Sequence, residues 1–333
     1  MIKNKLRKVV FSILNRQSID NFYKIYYRAR YPSSMQKKCS FGELNPDKYF
    51  YVIRPRTDGT EGLMSLFMNV IKNIYYAIDN NYIPIIDFKN YSTQYSDKIN
   101  GETNSWNFYF CQPSTYTLEE VYSSKNVILS GLDIQWYHNQ LFERNFSNNQ
   151  LLELSKFIYE YIDFNDEVKK NVNSQKEILK IKDETTLGLY LRGTDYTYLK
   201  PAGHPIQPTV NQATEIVDEY LKKYNIDKIF LVTEDGKIYD EIKKKYGKKC
   251  VIVTYDTFIR DYSGKNFLSH DKSINNLSDS PYERGLNYLI KIIILSECRY
   301  FIGGNTMGSW GACALSKESF FDKFIFDLGT YGK

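Results

Sequence analysis

Short apolar runs with strand character alternate with helix-forming segments along two stretches of this chain. In the first stretch, "YFYVIRP" (49–55), "YIPIIDF" (82–88) and "NVILSG" (126–131) have the composition of buried strands, and an amphipathic helix begins near Gly62. In the second stretch, helical patterns separate five such runs, at 186–191, 228–233, 250–255, 300–304 and 324–328. Strands that alternate with helices form parallel sheets covered by helices on both faces. The sequence therefore predicts an α/β chain of two Rossmann-like domains that face each other across a cleft.

The two stretches are joined by a long segment of helical periodicity, at about residues 148–180, which ends in the charged run "KIKDE". This segment is the expected interdomain connection, so the predicted domains span residues 1–180 and 181–333. The helices predicted for the second domain lie near 209–224, 236–246, 282–297 and 308–316.

The composition is that of a soluble globular protein, with 42% hydrophobic and 25% charged residues. Five cysteines without a CxxC or Cys/His spacing indicate neither a disulfide framework nor a zinc site, which favours a reducing, cytoplasmic setting. A net charge of +5 is too small to predict a nucleic-acid partner. The basic run "MIKNKLRKVVFSILNRQ" (1–17) has an apolar core too short for a signal peptide. It predicts an amphipathic helix that either rests on a membrane face or is a solvated terminal helix.

A cation and a carboxylate follow directly after one predicted strand, in "GLYLRGTDYTYLKPAGHPI" (188–206). One interpretation is a surface turn over Gly193, Thr194 and Asp195, in which Arg192 and Asp195 make a solvated ion pair that adds little stability. The alternative is functional, because the ends of strands in α/β sheets open onto the ligand crevice. A planar guanidinium fixed there is placed to bind two phosphate oxygens at once.

Two glycine-bearing loops, "DGTEGL" (58–63) and "GGNTMGSWGA" (303–312), lead from a strand into a helix. Backbone amides in this geometry collect phosphate oxygens, and Asn305, Thr306 and Ser309 add side-chain donors in the second loop. Neither loop has the dinucleotide fingerprint or the P-loop pattern. A tight turn with an N-cap explains either loop, taken alone, without a ligand.

The sequence offers little for a metal ion, since it contains no Asp-x-Asp and only three histidines. An enzyme that handles a nucleoside diphosphate without Mg²⁺ must neutralise it with fixed cations and helix N-termini. We therefore expect no metal and no cofactor, with Arg192 as the cation.

Several of these segments resemble the α1,2- and α1,6-fucosyltransferases. "LYLRGTDY" (189–196) is similar to their His-x-Arg-Arg-Gly/Thr-Asp stretch, and "HPI" (204–206) lies where several α1,6 members carry the same tripeptide. "LVTED" (231–235) resembles their strand followed by an acidic pair. "LIKIIILSECRYFIGGNTMGSWGA" (289–312) resembles the helix, strand and loop that end in "NSSFSWWGA" in α1,2 enzymes. The segment 59–88 resembles their N-terminal glycine loop and helix more weakly.

This resemblance implies a GT-B-like, metal-independent, inverting transferase that moves a sugar, with fucose favoured, from a GDP-sugar to a glycan hydroxyl. Arg192 takes the place of the first motif arginine and is implied to hold the leaving diphosphate. Three departures affect the guanine contacts and the donor sugar. Tyr190 replaces the motif histidine, Gly193 replaces the second arginine and Lys291 replaces a helix aspartate. The implied donor site comprises Arg192, Asp195, His204, Glu234, Asp235, Asn305, Thr306, Ser309 and Gly62.

The general base has two candidates, Glu61 in the first glycine loop and His138 after "GLDIQW" (131–136). A helix N-cap charge for Glu61 and a packed loop histidine for His138 are equally good structural explanations. Aromatic residues form a further group, either as core or as rings that stack on an acceptor sugar. This group consists of Trp106, Phe108, Tyr109, Trp136 and Tyr137.

The sequence thus predicts a cytoplasmic glycosyltransferase, soluble or peripheral at the inner face of the membrane. Its expected acceptor is a glycan or lipid-linked oligosaccharide of a bacterial surface polysaccharide. The alternative is a noncatalytic carbohydrate- or nucleotide-binding protein on a decayed transferase scaffold, because the motif histidine and the second arginine are missing. Turnover of GDP-sugars distinguishes the two. An NAD-dependent oxidoreductase is a distant third interpretation, since the dinucleotide glycines are absent.

Overall fold

The computed structural model describes residues 16–56, 59–99, 101–142, 147–262, 264, 267–268 and 280–332. The predicted amphipathic helix over 1–17 therefore lies almost entirely outside the described residues. The chain divides into two compact units. The first unit comprises Met1–Thr57, Asn69–Asp87 and Pro113–Glu143, and the second comprises Asp58–Met68, Phe88–Gln112 and Arg144–Lys333.

These units do not coincide with residues 1–180 and 181–333, because the segments 58–68, 88–112 and 144–180 also belong to the second unit. Segment 88–112 makes hydrogen bonds within the second unit. For example, Tyr109 Oη donates to the carbonyl of Tyr282 at 2.9 Å. That two domains face each other across a cleft stays a prediction.

The first unit contains a four-stranded sheet in the order β1–β4–β2–β3. Strand β2 pairs in parallel with β3 and β4, whereas β1 runs antiparallel to β4 at the edge. The three predicted strands of this stretch are confirmed, and the short edge strand was not predicted. The strands are Lys37–Cys39 (β1), Phe50–Ile53 (β2), Ile83–Ile86 (β3) and Val127–Leu129 (β4).

Helix α1 spans Arg16–Arg30 and packs through Tyr27 on Trp136, with ring centroids 5.6 Å apart. Helix α2 spans Leu63–Asp79, and its first residues belong to the second unit. Its predicted apolar face is buried from Leu63 to Ile74, whereas Ile78 near its end is 36% exposed. The remaining short turns of the first unit are a helix α3 at Leu118–Val121 and 3-10 helices at Pro32–Ser34, Leu132–Trp136 and Gln140–Phe142.

The second unit contains a five-stranded sheet in the order β7–β6–β5–β8–β9, with all neighbouring strands parallel. This confirms the α/β class and the predicted strand sequence, although β7 is only two residues long. Strand β5 is buried along its whole length, as expected for a strand covered on both faces. The strands are Thr186–Tyr190 (β5), Lys228–Val232 (β6), Cys250–Val251 (β7), Tyr300–Gly304 (β8) and Asp322–Phe326 (β9).

The expected connection over 148–180 is two helices, both of which belong to the second unit. Helix α4 ends where Ile162 becomes extended, and Asn165 then caps α5 by accepting from the N–H of Val168 at 2.9 Å. None of the described helices combines the length and the apolar composition needed to cross a membrane. The helices of this unit are Asn148–Tyr161 (α4), Asp166–Leu179 (α5), Thr194–Leu199 (α6), Val210–Lys223 (α7), Gly236–Tyr246 (α8), Pro281–Glu297 (α9) and Met307–Leu315 (α10), with 3-10 turns at Asp183–Thr185 and Gly247–Lys249.

Candidate functional site

The carboxyl ends of β5, β6 and β8 lie side by side in the second unit. Tyr190, at the end of β5, is in register with the last residue of β6 and with Gly303 of β8. Arg192 follows β5 after one residue, Glu234 follows β6 after one residue, and Asn305 follows β8 directly. The sheet therefore brings together three residues that the sequence placed in separate motifs.

The Arg192 guanidinium is held by two carboxylates. Its Nε donates to Glu234 Oε1 at 3.1 Å, and its Nη2 donates to Asp195 Oδ1 at 2.7 Å. Its Cζ lies 4.8 Å from the centroid of the Tyr196 ring, in a cation–π contact. Burial disfavours the charged form, but the carboxylates of Glu234 and Asp195 outweigh it and hold the pKa of Arg192 well above its usual value. Arg192 is therefore charged and oriented, with 21% of its side chain exposed.

The residues after Arg192 do not form a solvated surface turn. Thr194 and Asp195 are buried and begin helix α6. Thr194 has a φ of 37°, in the left-handed region that is strained for a β-branched residue. Its Oγ1 donates to Glu234 Oε1 at 2.8 Å and its N–H to Asp235 Oδ2 at 3.3 Å, and these bonds hold the strained conformation. The ion pair that one interpretation placed in solvent is thus largely buried.

Gly193 is required by the close approach of Asp235. A Cβ at this position would lie 2.3 Å from Asp235 Oδ2, far inside van der Waals contact. The N–H of Gly193 also donates to Glu234 Oε1 at 3.0 Å. The position that the resemblance assigns to a second arginine therefore has no room for a side chain in this chain.

The acidic pair after β6 has structural partners. Asp235 Oδ1 accepts from the N–H groups of Lys237 at 2.8 Å and Ile238 at 3.4 Å, and so caps helix α8. Glu234 accepts from Arg192 and from the turn that follows it. Both carboxylates thus order the Arg192 turn, and their direct contact with a donor stays a prediction.

The loop after β8 is held by its own side chains. Asn305 Oδ1 accepts from Trp310 Nε1 at 2.8 Å, and Thr306 Oγ1 caps α10 by accepting from the N–H of Ser309 at 3.4 Å. Ser309 is fully buried, and its hydroxyl donates to the carbonyl of Gly304 at 2.6 Å. Donation from Ser309 to a ligand would require that bond to break, so Thr306 is better placed than Ser309 to donate to a ligand.

The first glycine loop belongs to the same unit and is held by one glutamine. Gln94 Nε2 donates to the carbonyls of Thr60 at 2.8 Å and Glu61 at 2.9 Å. The Gln94 N–H donates to the carbonyl of Gly59, also at 2.8 Å. At Gly62 a Cβ would have no heavy atom within 4 Å, so packing does not require glycine there.

The helices that follow the two glycine loops contact each other. A Cβ at Gly311 of α10 would lie 2.5 Å from Met64 Sδ of α2, so the glycine allows the two helices to pack closely. At the amino end of α2, the N–H of Leu63 donates to Tyr95 Oη at 3.0 Å. Two loops that the sequence presented as separate candidates are therefore neighbours in the second unit.

Sequence reasoning missed a second arginine and a group of tyrosines beside this junction. Arg284, in the first turn of α9, places its Cζ 5.8 Å from the centroid of the Tyr95 ring. Burial raises the pKa of Tyr95 to about 12, while Arg284 and Arg192 both act against that rise. Tyr190 Oη lies 3.3 Å from Tyr288 Oη. Tyr190, which stands in place of the motif histidine, is thus a buried packing residue.

A polar stripe on helix α9 was the sequence signal that could have identified this group. Arg284, Tyr288 and Lys291 follow one another at i, i+4 and i+7 in a helix that is otherwise mostly apolar. Lys291 Nζ donates to Asp256 Oδ1 at 2.7 Å, and the two side chains are 14% and 4% exposed. Lys291 therefore has a buried carboxylate partner of its own.

The two histidines of interest lie in different units. His204 precedes α7, and its ring centroid is 5.5 Å from that of Tyr196, the ring that also contacts Arg192. His138 belongs to the first unit, where its Nε2 lies 2.7 Å from Asp20 Oδ2. Glu61 belongs to the second unit, so the two candidate bases are in separate units and both stay predictions.

The aromatic group does not form one sugar-binding surface. Trp106, Phe108 and Tyr109 are at most 4% exposed and lie in the core of the second unit. Trp136 is 9% exposed and belongs to the first unit, as does the partly exposed Tyr137. The core interpretation is therefore correct for four of the five rings, and stacking on an acceptor is excluded for them as they stand.

Comparisons with known proteins give similarities in structure only. No protein-family profile and no curated protein matches this chain. The chain is similar to the fucosyltransferase NodZ from Bradyrhizobium, with 14% identity and a TM-score of 0.49 over 86% of this chain and 97% of that chain. It is similar to a mutant of Arabidopsis thaliana FUT1 in complex with GDP, with 9% identity and a TM-score of 0.43 over 86% and 72% of the two chains. It is also similar to POFUT1 in complex with GDP-fucose, with 12% identity and a TM-score of 0.36 over 85% and 75%.

Proposed function

We propose that this chain is a metal-independent, inverting glycosyltransferase that transfers a sugar, with fucose favoured, from a GDP-sugar to a glycan hydroxyl. The observation that carries the proposal is the placement of Arg192. Its motif "LYLRGTDY" resembles the fucosyltransferase stretch, and its guanidinium is charged and oriented just beyond the carboxyl end of β5. Ligands of α/β proteins bind at the carboxyl ends of parallel strands, which is where a donor would meet this arginine.

Arg192 binds the departing diphosphate in this proposal. Among the described residues, carboxylates take up N–H groups on Nε and Nη2, which leaves those on Nη1 for a ligand. Negative charge grows on the diphosphate as the glycosidic bond breaks. A preorganised cation beside it is therefore worth more in the transition state than in the ground state. The amino ends of α2 and α10 add dipoles of the same sign.

The acceptor hydroxyl needs a base on the side opposite the leaving group. Glu61 lies in the loop that Gln94 holds, and His138 has its imidazole oriented by the Asp20 carboxylate. Glu61→Gln and His138→Asn, made separately, distinguish them. The variant that removes the base loses sugar transfer and keeps GDP affinity, whereas loss of both would indicate a structural role.

The acceptor in this proposal is a glycan or lipid-linked oligosaccharide of a bacterial surface polysaccharide, used at the cytoplasmic face of the membrane. Helix α1 supports a peripheral contact, because Phe22, Ile25 and Tyr26 are 53%, 71% and 49% exposed. Arg28 and Arg30 lie in the last turn of the same helix. Exposed apolar side chains with arginines next to them in the same helix suit the interface of an anionic membrane.

Calorimetric titration with GDP, UDP and CDP, followed by a panel of GDP-sugars, tests the proposed function. We expect GDP to bind most tightly, EDTA to leave its affinity unchanged, and one GDP-sugar to be turned over. Strict dependence of binding on Mg²⁺ or Mn²⁺ would contradict the metal-free mechanism, and preference for UDP or CDP would contradict the donor.

A noncatalytic carbohydrate- or nucleotide-binding protein is the second candidate. It is favoured by the absence of space for a side chain at Gly193 and by the two carboxylates that share the charge of Arg192. GDP binding without transfer or hydrolysis of any GDP-sugar would support this candidate over the enzyme.

A further inference from the structure

The charges around Arg192 alone do not suit a nucleoside diphosphate. Arg192 contributes one positive charge, whereas Asp195, Glu234 and Asp235 contribute three carboxylates to the same hydrogen-bonded group. In a partly buried setting, charges a few ångströms apart interact more strongly than in water. An added diphosphate would meet a group whose formal charge is already negative. A diphosphate site in this unit therefore needs another cation.

Arg284 is a cation in a different environment. Its Nη2 donates to the carbonyl of Gln94 at 2.8 Å, and its Cζ lies 5.8 Å from the centroid of the Tyr95 ring. These neighbours are a carbonyl and an aromatic face, so they do not offset its charge as a carboxylate would. In the part of the chain that the structure describes, its buried Nε has no hydrogen-bond partner. Buried donors are normally paired, so this N–H is available to a ligand.

Tyr95, whose ring lies beside the Arg284 guanidinium, adds a hydroxyl donor. Its side chain is 7% exposed, and its Oη accepts from the N–H of Leu63 at the amino end of α2. A hydroxyl that accepts this bond still has its own proton to donate. Because burial raises the pKa of Tyr95 to about 12, the proton stays on the oxygen at neutral pH.

We infer that Arg284 and Tyr95 form an anion subsite at the amino end of α2, which binds the terminal phosphate of a nucleoside diphosphate. The identity of the ligand rests on the proposed function, whereas the subsite itself rests on the arginine, the hydroxyl and the helix end. Gln94 joins the subsite to the glycine loop, because it accepts from Arg284 and donates to the carbonyls of Thr60 and Glu61. Arg284 thus supplies a positive charge in place of the second motif arginine, whose side chain has no space at Gly193.

The test measures the affinity of Arg284→Gln for GDP, GMP and inorganic pyrophosphate by calorimetry. Loss of a charge-assisted contact predicts a roughly 10- to 100-fold weaker affinity for GDP and pyrophosphate, with GMP affected less than about threefold. Arg299→Gln is the matched control. Arg299 lies before the amino end of β8, whereas the candidate site is at the carboxyl end of that strand. Its Cζ makes a similar cation–π contact, 4.5 Å from the centroid of the Phe321 ring. The control should bind all three as the wild type does.

Tyr95→Phe tests the hydroxyl and should weaken GDP and pyrophosphate by a smaller factor, roughly 3- to 10-fold. If Arg284→Gln fails to fold by circular dichroism, Arg284→Lys is used instead. It keeps the charge but loses the forked N–H donors of the guanidinium, and should show an intermediate loss of affinity for GDP and pyrophosphate.

Unchanged pyrophosphate and GDP affinity in a folded variant overturns the subsite, as does an equal loss of affinity for GMP. If the wild type binds pyrophosphate but not GDP, and Arg284→Gln weakens the affinity for pyrophosphate, the subsite stands and the proposed donor is overturned. If the wild type binds neither GDP nor pyrophosphate, both the subsite and the proposed donor are overturned.

Discussion

Arg192 illustrates how a charged side chain is oriented before any ligand arrives. Glu234 and Asp195 accept from two different nitrogens of its guanidinium, and the Tyr196 ring covers one side. A lysine in this position has the charge but lacks the planar guanidinium with its fixed N–H donors. The role of Arg192 can therefore be separated from its charge by a conservative substitution.

Arg192→Lys is expected to lower kcat by roughly 10²-fold or more, with a smaller effect on donor KM, because the lost contact is strongest in the transition state. Steady-state transfer from the GDP-sugar that the wild type uses measures this. Arg260→Lys is the control, since Arg260 makes an exposed ion pair with Asp240. Near-normal turnover, or a variant that does not fold, would mean that Arg192 is a structural residue.

At the scale of secondary-structure elements, two residues of the motifs that resemble the fucosyltransferases cap the amino ends of helices. Asp235 caps α8 and Thr306 caps α10, so each has a structural role that does not depend on a ligand. Loss of an N-cap typically costs about 1 kcal/mol of stability. A change in ligand affinity must therefore be separated from this loss of stability.

Thr306→Val is expected to weaken GDP binding and to leave GMP binding nearly unchanged, if its hydroxyl reaches the terminal phosphate at the amino end of α10. Calorimetry with both nucleotides measures the difference. Thr209→Val removes an equivalent cap from α7, in a capping box with Gln212, and should reduce stability alone. Equal losses for GDP and GMP in Thr306→Val would place this residue away from the terminal phosphate.

At the scale of the whole molecule, each unit is assembled from segments that are distant in the sequence. Segments 58–68 and 88–112 belong to the second unit, so the candidate site draws on three parts of the chain. The first unit includes helix α1 with its exposed apolar residues, whereas the candidate site belongs to the second unit. The two units therefore offer separable experiments, one on nucleotide binding and one on membranes.

Helix α1 is expected to bind vesicles that contain anionic lipid and not neutral vesicles, because two arginines follow its exposed apolar residues. Ile25→Asp should reduce co-sedimentation with anionic vesicles several-fold, since Ile25 is 71% exposed and would enter the interface. Ile178→Asp is the control, as Ile178 is 56% exposed on α5 in the other unit. Binding that is equal for neutral vesicles, or unaffected by Ile25→Asp, would contradict the membrane contact.

The sequence by itself determined the class of fold and the position of Arg192. Strands β5, β6 and β8 are buried on both faces, so each reads as a continuous apolar run, and the helices between them carry their own periodicity and caps. These are local properties, which a chain displays within about ten residues. The end of β5, and hence the place of Arg192 in the sheet, follows from them.

Only the tertiary structure decided which groups surround Arg192 and which segments complete the unit. Gly193 reads as a flexible turn residue, yet the approach of Asp235 is what demands it. Arg284 and Gln94 are 190 residues apart in the chain, and their hydrogen bond has no local signature. Contacts of this kind depend on packing between distant segments, which apolar periodicity does not encode. The carboxylates that orient Arg192 and the arginine beside Tyr95 therefore emerge only when the chain is folded.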